Sequence, residues 1–107
     1  MIEVSFFVLP NGGIRGFGIT GHSGYAEAGE DIVCAAVSSA AYMAVNSITD
    51  VLFVLPEQIR AEEGNMLFCL ERKDIPVCRV ILEGLKKHLL SLEEQYSDYI
   101  RVSYVEV

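Results

Sequence analysis

His22 and Cys34 are the pair in this chain whose types and spacing can make a nucleophile. They stand twelve positions apart in the stretch Gly21-His22-Ser23-Gly24-Tyr25-Ala26-Glu27-Ala28-Gly29-Glu30-Asp31-Ile32-Val33-Cys34-Ala35-Ala36-Val37-Ser38. The stretch reads as the end of a strand, a glycine-bearing loop and the opening of a helix. A thiol in a helix's first turn faces the positive end of the backbone dipoles, which favours a nearby anion by at most about 2 kcal/mol. An imidazole beside it would do more, by taking the thiol proton as a base. Taken alone, each residue has a plainer reading. A cysteine among Ile32, Val33, Ala35 and Ala36 is a small buried hydrophobe, and a loop histidine is simply exposed. The two across one loop are what point to chemistry.

The neighbours of this pair have roles on offer. Asp31 can cap the helix by accepting a backbone N–H, or it can orient His22 as the third member of a triad does. The two roles compete, because a cap that uses the Cys34 N–H removes an oxyanion donor. Ser38 lies one turn beyond Cys34 on the same helix face, where its hydroxyl can meet the sulfur or a substrate, or bond back to the helix carbonyls. Tyr25 and Glu27 are candidate substrate contacts, and Gly21, Gly24 and Gly29 are hinges or points of close backbone approach. With so few anchors, the loop 22–30 is expected to order only around substrate. The other histidine, His88, sits mid-helix beside Leu85 and Leu89 and reads as packing or surface. Cys69 in a strand and Cys78 at a helix start have no histidine at hand and read as structural.

The elements that must position these residues follow from period and punctuation. Residues 2–9 and 14–20 read as strands across the turn Pro10-Asn11-Gly12-Gly13, with Phe17 and Ile19 on one face. Residues 31–54 read as a helix stopped by Pro56. Its polar positions, Ser39, Asn46 and Asp50, make one narrow stripe, so nearly all of its circumference asks for cover. Residues 57–63 and 66–72 form a second hairpin across Gly64-Asn65. A second helix runs near 76–95, with Val77, Val80, Ile81, Leu85, Leu89 and Leu92 as its apolar stripe. Residues 99–107 form the last strand. The order ββαββαβ predicts an α+β sandwich in one domain, 1–107: an antiparallel sheet with the helices packed on one face.

The bulk numbers exclude several classes. At 107 residues the chain suits one modest core. A net charge of −7 argues against nucleic acid and favours a basic protein partner. Three cysteines without a CxxC pair, and two scattered histidines, argue for free thiols and against a zinc site. The apolar stretches are interrupted, so no membrane span is expected. The first residues lack the basic start of a signal peptide, which predicts a cytoplasmic protein.

Residues 21–38 also resemble the signature of the Prp (YsxB-like) ribosomal-processing cysteine proteases, which is Gly-His-x-Gly-Tyr-Ala followed by Gly-x-Asp-Ile-Val-Cys-Ala-x-Val-Ser. The resemblance implies a catalytic dyad at His22 and Cys34, with the signature aspartate and serine at Asp31 and Ser38, and no metal or organic cofactor. It implies a homodimer that removes the N-terminal extension of the large-subunit ribosomal protein L twenty-seven. Two rival classes would keep the same residues: a non-catalytic ribosome-assembly binding protein and a redox-sensing thiol protein.

Overall fold

Alternation of apolar and polar residues builds the sheet. The computed structural model describes residues 1–22, 32–62 and 64–107. Strands β1 (Ile2–Val8), β2 (Ile14–Thr20), β3 (Gln58–Glu62), β4 (Asn65–Cys69) and β5 (Ile100–Glu106) form one sheet in the order β3-β4-β2-β1-β5. Ile2, Val4 and Phe6 of β1, Phe17 and Ile19 of β2, and Met66 and Phe68 of β4 are buried on the helix-covered face. In register, Phe6 stands opposite Phe17, and Phe17 opposite Phe68. Their ring centroids are 6.2 and 5.8 Å apart, a row of cross-strand aromatic pairs that fixes register as well as filling volume. At Gly16 a side chain would collide with the Phe68 carbonyl, so the glycine is what lets β2 and β4 lie together.

The α+β class and the element order are those expected, but the sheet is mixed rather than antiparallel. β5 runs parallel to β1, pairing Ile2 with Ile100 and Val8 with Glu106. A parallel neighbour needs a crossover, and the helix before β5 supplies it. Strand alternation cannot distinguish this from an antiparallel return. The outer edge of β5 is partly closed, since the Val102 N–H donates to the Glu93 carboxylate at 2.7 Å, which blunts an otherwise open edge.

Helix α1 (Ile32–Asn46) continues as a wider π-helical turn, Ser47–Val51. The Ser47 hydroxyl donates to the Met43 carbonyl and the Thr49 hydroxyl to the Val45 carbonyl. Such back-bonds compete with the regular ladder and bend helices. The chain leaves this turn through Phe53, whose φ is +56°, three residues before Pro56. By length and composition alone Ile32–Val51 would cross a bilayer, which the interrupted apolar pattern had not suggested. In the fold, its Val33, Val37, Ala41, Ala44, Val45 and Ile48 belong to the core.

Helix α2 (Arg79–Gln95) begins three residues later than expected, after a 3₁₀ turn at Arg72–Asp74. Its buried stripe is Leu82, Leu85, Leu89 and Leu92. Val77 and Val80, expected in that stripe, are exposed. Leu82 is wholly buried in their stead, because the helix presents its leucine row to the sheet and to α1. Both helices contribute to a single core on one face, as expected.

Candidate active site

β2 ends, and β1 and β4 begin, at one end of the sheet, because the antiparallel register sets Thr20 against Glu3 on one side and Asn65 on the other. The chain leaves β2 through Gly21, at φ +89°. A side chain there would collide with the Met1 carbonyl. The Gly21 N–H donates to the Gly64 carbonyl at 3.0 Å, so the residue before His22 is held between the start of β1 and the β3–β4 turn. His22 follows, exposed to solvent.

Cys34 is the third residue of α1, half-buried, and Ser38 lies exposed one turn further on. The helix starts at the same end of the sheet as Gly21. Gly21, His22, Cys34 and Ser38 all line one cleft of about 400 Å³. Four of the residues singled out by sequence are thus brought together. Gly24, Tyr25, Glu27, Gly29 and Asp31 lie outside the described residues, as does the loop expected to order around substrate.

The cleft has walls that sequence reasoning missed. Tyr42, two turns beyond Cys34, and Glu62, Gly64 and Asn65 of the β3–β4 hairpin line it. The Gly64-Asn65 turn is legible locally. Its arrival beside His22 is not, because it depends on β4 pairing with β2 across more than forty residues of chain. The cleft wall is therefore mixed: an acidic side chain at Glu62, an aromatic at Tyr42 and apolar groups at Ile2, Ile19 and Met66. The first turn of α1 carries no acidic residue among the described positions.

The remaining candidates sit elsewhere. Cys69 lies on the uncovered face of the sheet beside Phe7, Leu67 and Arg15. Burial pushes its thiol above the ordinary range, the Arg15 charge pulls it down and the Glu57 charge raises it. Cys78 is in the core, its thiol raised by burial and then by the Asp74 charge. Neither environment favours a thiolate. His88 lines a groove between α1 and α2. None of the three cysteines is in a disulfide. Among the described residues no group of three His, Cys, Asp or Glu side chains is arranged to hold a metal ion.

Comparison with known proteins bears on this geometry. The family model for cysteine protease Prp matches residues 1–101. The ribosomal processing cysteine protease Prp of Bacillus subtilis (strain 168) is 29% identical over 108 residues, covering 96% of this chain and 96% of its own. A crystal structure of the essential ribosomal processing protease Prp from S. aureus, with a covalently linked product peptide, superposes with a TM-score of 0.90 at 28% identity, over 98% of this chain and 100% of that one. A second S. aureus Prp structure, in complex with a substrate peptide, gives 0.84 at 27% identity, again over 98% and 100%.

Proposed function

We propose, from the premise that this chain belongs to the cysteine protease Prp family, that His22 and Cys34 are its general base and its nucleophile. The observation that carries the reading is that both line one cleft, with Cys34 in the first turn of α1. His22 takes the thiol proton, and the Cys34 sulfur attacks the scissile carbonyl. Backbone N–H groups at the start of α1 stabilise the oxyanion that forms. His22 then protonates the leaving amine, and water hydrolyses the thioester to return the free thiol. The peptide held covalently by the S. aureus relative supports a covalent intermediate of this kind. Ser38 faces the same cleft and serves the sulfur or the substrate. Asp31 either caps α1 or orients His22.

The substrate in this reading is the N-terminal extension of ribosomal protein L twenty-seven. A net charge of −7 and Glu62 in the cleft wall suit a basic ribosomal protein. The working form is a homodimer. Its support is the outer side of the first helix and its continuation, where Met43 (71%), Val51 (71%), Phe53 (83%) and Leu55 (81%) stand exposed. Apolar groups on that scale mark an association surface.

Incubating an extended L twenty-seven with the protein and reading product masses tests the reading. The wild type should release the extension and Cys34→Ala should not. His22→Ala should cost at least about 100-fold, the low end for a lost general acid–base. Cys69→Ser and Cys78→Ser should retain most activity. Full cleavage by Cys34→Ala would eliminate the proposal. Rapid alkylation of Cys34 with no cleavage would favour a redox-sensing thiol, and slow alkylation a non-catalytic binding protein.

A further inference from the structure

Two hairpins in this protein turn on a glycine with positive φ, and their surroundings differ. Gly12, between β1 and β2, has φ +90°, and a Cβ added there would meet nothing within 4 Å. Gly64, between β3 and β4, has φ +72°, and a Cβ added there would stand 3.0 Å from His22 Nε2 and 3.4 Å from Cε1. Ordinary carbon contacts begin at about 3.5 Å, so a methyl group at residue 64 would displace the ring. Gly64 itself has little room to yield. Its carbonyl accepts the Gly21 N–H at 3.0 Å, and Gly21 is blocked on its other side by the Met1 carbonyl. The backbone just before the histidine is pinned to the same residue whose side-chain space the imidazole borders.

We infer that Gly64 is a positioning residue: its missing side chain leaves the seat of the His22 imidazole, and glycine is required there to leave the ring its place. The inference rests on the reading of His22 as the general base. It assigns residue 64 a role beyond adopting a left-handed backbone, because Gly12 adopts one too and has open space where a side chain would stand. A ring moved by even a few tenths of an ångström is a base out of line with its proton, and an error near 1 Å can cost about 100-fold in rate.

Gly64→Ala, Gly64→Asn, Gly12→Ala and His22→Ala would be compared with the wild type. The readouts are kcat and KM on a synthetic peptide spanning the L twenty-seven extension, the pH dependence of Cys34 alkylation by iodoacetamide, Tm, and the titration of the His22 ring by NMR. Gly12→Ala and Gly64→Ala strain the backbone alike and should lose similar Tm. Of the glycine variants, only those at residue 64 should lower kcat, by about tenfold or more, with KM nearly unchanged. Only they should shift the alkylation profile and the His22 titration. Asparagine tolerates the left-handed region but keeps a Cβ, so Gly64→Asn should regain Tm without regaining kcat. It also carries the test if Gly64→Ala fails to fold. Wild-type kcat and an unchanged His22 titration in Gly64→Asn would overturn the seat. So would a loss of kcat in Gly12→Ala equal to that in Gly64→Ala. Unimpaired cleavage by His22→Ala is a separate outcome, which overturns the general-base reading itself.

Discussion

The two helices were made to different specifications. α2 is closer to a finished surface helix: Leu82, Leu85, Leu89 and Leu92 face inward, Glu83 and Lys86 pair at 3.1 Å, and Val80 in the first turn is the one large apolar residue it exposes. α1 buries small residues, Val33, Val37, Ala41, Ala44 and Val45, and carries Ile32, Tyr42 and Met43 on its exposed side. Large leucines pack α2 against β2 and β5, whereas α1 meets α2 and buries only valines and alanines, with its first turn in the cleft. A helix with a polar outer face needs nothing more from its surroundings. A helix without one has work left for its surface, and in α1 that work is the proposed chemistry at one end and association along the side.

Side-chain truncations should separate the two. Cys34→Ala in α1 should abolish peptide cleavage while leaving Tm within a few degrees. Leu89→Ala in α2, at a wholly buried site, should cost about 2–5 kcal/mol in a urea titration while leaving the specific activity of the surviving folded protein near normal. Equal loss of stability in both would break the contrast.

The outer faces give the next effect. The double variant Met43→Glu with Val51→Glu should sediment as a monomer at micromolar concentration, near 11.8 kDa rather than twice that. The pair Lys86→Ala with Glu83→Ala should leave the sedimentation unchanged. A wild-type monomer would remove the need for cover on α1.

Smaller still is the bond from α2 to the sheet edge. Glu93→Ala removes the acceptor of the Val102 N–H and should cost about 1 kcal/mol. The start of α2 also carries a pH signature. Burial raises the Cys78 thiol, so above the ordinary thiol range near 8.5 the unfolded chain loses a proton that the folded one keeps. The unfolded state then binds fewer protons, and stability falls as pH rises from the ordinary thiol value through the raised one. Cys78→Ala should flatten that fall between pH 8 and 10 in thermal melts, while Cys34→Ala should leave the Cys78 contribution in place.

What the chain disclosed before folding follows the same division between local and distant. Hairpins, helices and the burial of Phe17 with Ile19 were legible because turn residues and periodicity act over a few positions. The gathering of Gly21, His22, Cys34 and Ser38 was legible because eighteen consecutive residues hold them. The parallel β1–β5 pairing was not, since strand alternation carries no direction. Neither were Glu62 and Gly64 as cleft walls, because their position follows from the β2–β4 register; Tyr42, on α1 two turns beyond Cys34, was missed although its helical spacing is local. The phase of α2 was misread at Val77 and Val80 because the 3₁₀ turn before it delays the helix, and apolar residues at its start need not join its inner stripe.

The parallel pair has a consequence for the order in which the molecule comes into being. Nearly the whole described chain separates Ile2 from Ile100, and contacts so distant along the chain are slow to close. As the polypeptide is synthesised, His22 and Cys34 are among the early residues, yet β1 remains an open edge until residues 100–106 have been made. The groups proposed for cleavage exist long before their platform is complete, so a nascent chain carries its proposed nucleophile with no finished framework to use it.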